Sequence, residues 1–349
     1  MVKTKIIATL GPASDNPTIL RKMMLAGLDV ARLNFSHGTH QEHLKRIQII
    51  RDLNKKYRRS IKILQDLEGY RIRIGRFKGI PSKQISLKKK QPVLLTNREK
   101  TSSTDIIPFD YPGSLKDFKT GQFIYIDDGL ITLQVKAKTK SHLKTEVIVP
   151  GVLKEHKGIN IPEIRLKFRD ITEKDKADIS FGIENNVNFI AQSFVRTKKD
   201  ILKIRELLGS FNCKVIAKIE NREGINNIDG ILKVSDGIMI ARGDMGVSLP
   251  IYQVPVWQKI LIKKCKEKNK FVITATQMLE TMTERARPTR AEASDVANAI
   301  FDGSDYVMLS AETAAGLYPV ESVAMMNEII KFTEGYIARA RQPEMRPYA

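Results

Sequence analysis

Cysteine is nearly absent, with Cys213 and Cys265 the only two in 349 residues. Two thiols cannot build a disulfide framework, so the chain is expected to keep them reduced, in the cytoplasm. Long apolar runs are missing as well, and neither a signal sequence nor a membrane span is expected. The opening MVKTKIIATLGP reads instead as a strand made for burial. Histidine is sparse, and no pair sits at metal-ligand spacing with a third ligand nearby, which argues against a zinc centre. His40, His43, His142 and His156 are expected to face solvent.

Acid is the scarcer charge. Fifty-nine Lys and Arg stand against 39 Asp and Glu, a net charge of +20. Such an excess can steer phosphorylated substrates or bind nucleic acid. The plainer reading is a solvated basic surface, and it is favoured. The lysines are dispersed, the one dense run (Lys88, Lys89, Lys90) falls in an expected hairpin region, and no nucleic-acid fold signature accompanies them. A nucleic-acid partner is therefore not expected.

What is abundant is alternation. With 42% hydrophobic residues the chain can bury a sizeable core. Strand and helix patterns alternate from Thr4 to Asp66, stop, and resume at Thr172. Between about Tyr70 and Lys157 there are only short alternating runs broken by Gly, Pro and Lys, as in QISL, PVLL and KTEVIVP. About eight strands, each followed by a helix, make an α/β fold: a (β/α)8 TIM barrel with a small all-β domain inserted after its third strand. The expected division is 1–69 and 158–349 for the barrel, and 70–157 for the insertion.

Two strands end in charge. KVIAKIE runs from Lys214 to Glu220, and GIMIARGD from Gly237 to Asp244. An interior barrel strand confines its charges to the end where the chain emerges. Taken alone, Lys218, Glu220, Arg242 and Asp244 could be ordinary surface ion pairs. Other strand ends change that balance. Arg32 and Asn34, Asp66, Ser193, Thr276, and Ser310 with Glu312 would meet at the same rim, where barrel enzymes hold their active sites.

The residue types fit phosphoryl chemistry. Glu220 and Asp244 are oxygen ligands suited to Mg²⁺ or Mn²⁺. Arg32 and Lys218 would offset charge on phosphoryl oxygens. Thr276 can donate to a carboxylate or phosphate, and the backbone N–H groups of Gly243 and Asp244 can help if that turn opens a helix. Asn34, Ser36 and Asp66 form an oxygen-rich trio suited to a second cation, although turn hydrogen bonding accounts equally well for Asn34 and Ser36. His37, beside Ser36, is the one histidine placed to touch a nucleotide.

These residues sit in the motifs ATLGPAS, ARLNFSHG, IYIDDGLI, AKIENREG, ARGDMGV, ATQMLETM, RPTRAEASDVANAIFDG and MLSAETAAG. In this order, and over almost the whole chain, the set resembles the pyruvate kinases. The resemblance implies a barrel with a β lid, and phosphoryl transfer from phosphoenolpyruvate to ADP, giving pyruvate and ATP. It implies substrate and Mg²⁺ roles for Arg32, Lys218, Glu220, Asp244 and Thr276, and a potassium site at Asn34, Ser36, Asp66 and the Leu67 carbonyl. Nucleotide contacts fall on His37, Arg73 and Lys174, and Ser310 with Glu312 on the side where the enolate is protonated.

Three departures matter. Where the family usually reads DTKGPEIR, this chain has Asp66-Leu67-Glu68-Gly69-Tyr70-Arg71-Ile72-Arg73. Relatives with a lysine at the Arg71 position tend to work without potassium, so Arg71 is expected to replace the ion. Lys167 stands where the family often has an Asp that helps close the lid. The family's further C-terminal domain, with its effector sites, has no counterpart in these residues, so control through it is not expected, and any homo-oligomer would use barrel surfaces. Two alternatives stay open: a divergent barrel enzyme with a changed phosphoryl acceptor or lyase or aldolase chemistry, and a non-catalytic anion- or RNA-binding protein.

Overall fold

A computed structural model describes residues 3–98, 103–127, 129–161 and 171–340. Lys167 lies outside them. The first half-turns of the helices follow from their caps. The Asn16 side chain accepts from Thr18 N–H ahead of α1 (Pro17–Ala26). Thr39 and Glu42 cap each other at α2 (His40–Tyr57), as Thr289 and Glu292 do at α9 (Arg290–Asp302). The chain gives β1 (Lys5–Thr9), β2 (Leu28–Asn34) and β3 (Lys62–Asp66) around α1 and α2. After the insertion come α3 (Glu173–Glu184), β12 (Phe189–Gln192), α4 (Lys198–Leu208), β13 (Lys214–Ile219), α5 (Arg222–Asn226), α6 (Ile228–Val234) and β14 (Gly237–Ala241). The series ends with α7 (Arg242–Ser248), α8 (Val254–Glu267), β15 (Phe271–Ala275), α9, β16 (Tyr306–Leu309), α10 (Ala311–Ala314) and α11 (Pro319–Ala340).

The strands β1-β16-β15-β14-β13-β12-β3-β2 close a parallel barrel. Its register is set by pairs such as Ile7 with Met308 and Asn34 with Asp66. Each strand sends at least one apolar side chain inward, among them Ile7, Val30, Leu64, Phe189, Ile216, Met239, Ile273 and Met308. Every such residue removed from water contributes about 1.5–3 kcal/mol. This layer fills the barrel, so polar groups are left to the strand ends.

The inserted strands are β4 (Gln84–Leu87), β5 (Pro92–Thr96), β6 (Ile106–Pro108), β7 (Phe123–Ile126), β8 (Ile131–Lys138), β9 (Leu143–Val149), β10 (Gly151–Lys154) and β11 (Ile159–Asn160). They form a six-stranded sheet, β11-β7-β8-β9-β5-β6, and a separate pair, β10-β4, around a core that includes Phe118, Ile124 and Leu133. Lys88–Lys90 do not form a hairpin tip: β4 pairs with β10, and β5 with β9 and β6. Contacts divide the described residues into two units. One holds residues through Gly69, Thr172–Arg242 and from Tyr252 onward; the other holds Tyr70–Ile171 and Gly243–Ile251.

Two strands run into turns of positive φ. β12 ends at Gln192, and Phe194 turns to φ +55°. β15 ends at Ala275, where Thr276 and Gln277 take φ +70° and +53°. Neither is glycine, and such a conformation costs roughly 1–2 kcal/mol per residue. The charged end GIMIARGD is likewise not all strand, because the chain becomes helical at Arg242.

Candidate active site

The barrel unit gathers two basic and two acidic side chains from β2, β3 and the end of β13. Lys218 Nζ donates to Ser193 Oγ at 2.7 Å and lies 3.1 Å from Asp66 Oδ1 and 3.2 Å from Glu220 Oε1. Arg32 Nε donates to Asp66 Oδ2 at 2.7 Å, and its Nη1 to Thr9 Oγ1 at 2.8 Å. Asp66 therefore bridges the two cations. Relative exposures are 0% for Asp66, 1% for Glu220, 8% for Arg32 and 9% for Lys218.

Burial pushes the Asp66 carboxyl toward its neutral form, but the charges of Lys218 and Arg32 outweigh it and hold the group below the usual carboxylate range. A buried two-cation, two-anion cluster is a poor way to stabilise a fold, since desolvation consumes most of its Coulomb energy. Its place at strand ends gives it a chemical rationale instead.

The turns explain the geometry. At the turn after β12, where Phe194 takes φ +55°, the Phe194 N–H donates to Glu220 Oε2 at 2.5 Å. This holds one carboxylate oxygen while the other faces Lys218. Ser193, just before that turn, also donates to the Leu67 carbonyl at 2.7 Å. At the end of β16 the Ser310 N–H donates to Glu312 Oε2 at 2.6 Å, and Leu279 N–H to Glu312 Oε1 at 3.1 Å. Burial pushes the Glu312 carboxyl up. The Ser310 hydroxyl oxygen is buried and meets no hydrogen-bond partner among the described residues.

Asp244 and Gly243 lie in the first turn of α7 and belong to the other unit, where Asp244 Oδ1 is 3.2 Å from Arg71 Nη2. Arg71 packs so closely over Gly158 that a Cβ there would come within 2.2 Å of its Nε. Arg73, in the same unit, donates from Nη1 to the His156 carbonyl at 3.1 Å, and its backbone N–H meets Asp110 Oδ1 at 2.5 Å.

The comparisons with known proteins agree with one another. The family model described as "Pyruvate kinase, barrel domain" matches residues 1–323. The chain belongs to the pyruvate kinase family. A pyruvate kinase of Geobacillus stearothermophilus is 50% identical over 337 residues, covering 95% of this chain and 57% of that relative. One of Staphylococcus aureus (strain MRSA252) is 50% identical over 334 residues, covering 94% and 56%, and one of Staphylococcus haemolyticus (strain JCSC1435) is 49% identical over 335 residues with the same coverage. The chain thus spans little more than half the length of these pyruvate kinases.

Within this pyruvate kinase barrel, the oxygens of three of the four residues that the resemblance assigns to potassium already have partners. Asn34 Oδ1 accepts the Ser36 N–H at 3.1 Å, Leu67 O accepts from Ser193, and both Asp66 oxygens face cations. Lys174 Nζ reaches the Phe35 carbonyl at 2.6 Å, Asp178 Oδ2 at 2.7 Å and Glu68 Oε2 at 3.5 Å. Sequence reasoning missed Asp178, although its i+4 spacing from Lys174 on a helix was readable. It also missed Thr9 and the Phe194 N–H, which no residue type could signal.

His43 corrects the expectation of a solvent-facing ring. It is 2% exposed, stacks on Phe35 with centroids 4.2 Å apart, and bonds through Nε2 to the His37 carbonyl at 3.0 Å. Burial lowers its pKa from 6.5 to about 4. Between these values the unfolded chain binds the proton and the folded chain does not. Stability therefore falls as pH drops through that window, and the loss is complete below about 4. Melting temperature measured against pH should show this fall, and His43→Gln should flatten it.

Proposed function

We propose that this chain transfers the phosphoryl group of phosphoenolpyruvate to ADP, giving pyruvate and ATP. The observation that carries the reading is the Arg32–Asp66–Lys218–Glu220 cluster, on the strand ends of a pyruvate kinase barrel. An oxygen of the ADP β-phosphate attacks phosphorus, the bond from phosphorus to the enol oxygen breaks, and the resulting enolate takes a proton at its terminal carbon. Arg32 and Lys218 face the charge that spreads over the phosphoryl oxygens and the enolate. Asp66 keeps both cations oriented. The Thr276 hydroxyl, which donates to the Ala275 carbonyl at 2.6 Å in this structure, would turn to the substrate carboxylate or phosphate, and Ser310, beside Glu312, serves the protonation side.

The donor chemistry fits a hard divalent ion: a buried Glu220 carboxylate fixed by the Phe194 N–H, with Asp244 as the second carboxylate. Mg²⁺ or Mn²⁺, held by Glu220 and Asp244, supplies positive charge against the transferring phosphoryl group when bound. Among the described residues no group of three or more His, Cys, Asp and Glu side chains could hold a metal, so water and substrate would complete the coordination. His37, Arg73 and Lys174 are the proposed nucleotide contacts. The free thiols of Cys213 and Cys265 support a cytoplasmic setting, and no described helix is long and apolar enough to cross a membrane.

A coupled assay with phosphoenolpyruvate, ADP and Mg²⁺ tests the reading: pyruvate and ATP should appear in equal amounts. The Glu68–Lys174 ion pair favours one second reading, a changed phosphoryl acceptor. It predicts pyruvate or phosphate release that does not depend on ADP. We further infer that Arg71, fixed against Asp244 and Gly158, takes over the role of the monovalent cation. Rates measured in sodium and potassium salts should then agree within about twofold. Large activation by potassium would reject the substitution.

A further inference from the structure

The sequence groups Arg242 with the charged rim, but its guanidinium is already committed inside the barrel unit. Nε and Nη2 donate to the Thr276 carbonyl at 3.2 and 2.7 Å. Nη2 also reaches the Gln277 carbonyl at 3.2 Å and Met278 Sδ at 2.9 Å. Nη1 is held by Asp295 Oδ1 at 2.7 Å and Gln258 Oε1 at 3.3 Å. The side chain is 11% exposed. Every nitrogen of the guanidinium thus meets a fixed acceptor, which leaves it poorly placed to bind substrate as well.

What it grips is unusual. Thr276 and Gln277 are consecutive non-glycine residues in the left-handed region, a conformation that persists only where the surroundings over-determine it. A planar fork that meets two successive carbonyls supplies that constraint. A lysine cannot, since its point charge has no fork geometry. Asp295 on α9 and Gln258 on α8 fix the fork in turn.

We propose that Arg242 is a positioning residue: it clamps the Thr276–Gln277 turn in its left-handed form and so holds the Thr276 hydroxyl, which donates to the Ala275 carbonyl at 2.6 Å, where it can turn to substrate. The inference rests on the role proposed above for Thr276. It concerns kcat rather than binding, because a misaimed donor costs most in the transition state.

The test uses the full chain. Arg242→Lys should lower kcat by about 10²-fold while KM for phosphoenolpyruvate stays within about twofold. Gln277→Gly, which adopts positive φ freely, should restore most of that loss in the Arg242→Lys background. In a Thr276→Ala background, Arg242→Lys should cost nothing further, whereas general damage to the fold would add its own loss. Amide hydrogen exchange reads the clamp without turnover: Arg242→Lys should speed exchange at 276–278 by about tenfold or more and leave the β13 amides unchanged. Unchanged exchange at that turn, additive losses, or no rescue by glycine would each overturn the inference. Full turnover by Thr276→Ala would instead defeat the role given to Thr276, leaving the exchange result to judge the clamp alone.

Discussion

Lys218→Met should lower turnover by at least about 10³-fold, some 4 kcal/mol of transition-state stabilisation. The methionine keeps the unbranched stem and loses the one charge that touches Ser193, Asp66 and Glu220 together. The fold should survive, because both carboxylates keep a partner: Asp66 keeps Arg32, and Glu220 keeps the Phe194 N–H. The stability cost should therefore fall below the ~3–5 kcal/mol of a buried pair broken outright. Circular dichroism and a thermal melt, run beside the coupled assay, separate the two effects. Near-normal turnover in a folded variant would remove Lys218 from the mechanism.

Glu220→Gln should be almost as severe. The amide preserves the shape, and its oxygen can still accept from the Phe194 N–H. Its NH₂ would then face the Lys218 ammonium, which now lies 3.2 Å from Glu220 Oε1, so donor would meet donor. A neutral ligand also binds a hard cation more weakly than a carboxylate does. Turnover should fall by about 10²-fold or more, and half-saturation by Mg²⁺ should move to much higher concentration. A Mg²⁺ titration of the rate that matches the wild type would rule Glu220 out as a ligand.

The strand ends were the readable part of this site. Apolar runs that finish on charge mark where an interior strand emerges, so the sequence alone assigns Arg32, Asp66, Lys218 and Glu220 to one rim. The barrel itself was legible from the strand and helix rhythm, and the insertion from the place where that rhythm breaks. The turns were not legible. Phe194, Thr276 and Gln277 take positive φ without being glycine, so no residue type announces them. Arg242 was placed at the rim because RGD looks like a charged strand end. Its acceptors lie 16 to 53 residues away, and only tertiary folding shows that the charge is spent internally. His43 sits on a helix with a largely polar pattern, and its burial comes from Phe35, on the loop before that helix. The pairing of Arg71 with Asp244 joins residues from distant parts of the chain, and spacing alone gives no hint of it.

Glu220 and Asp244 are proposed to hold a single divalent ion against the phosphoryl group. Electron paramagnetic resonance of Mn²⁺ titrated into the full chain tests it most directly. The wild type should bind one tight Mn²⁺ whose signal is broadened by phosphoenolpyruvate labelled with oxygen-17 in its phosphoryl group. Glu220→Gln and Asp244→Asn should each lose that tight site. Tight binding that survives in both variants, or a signal indifferent to the labelled phosphate, would contradict the account.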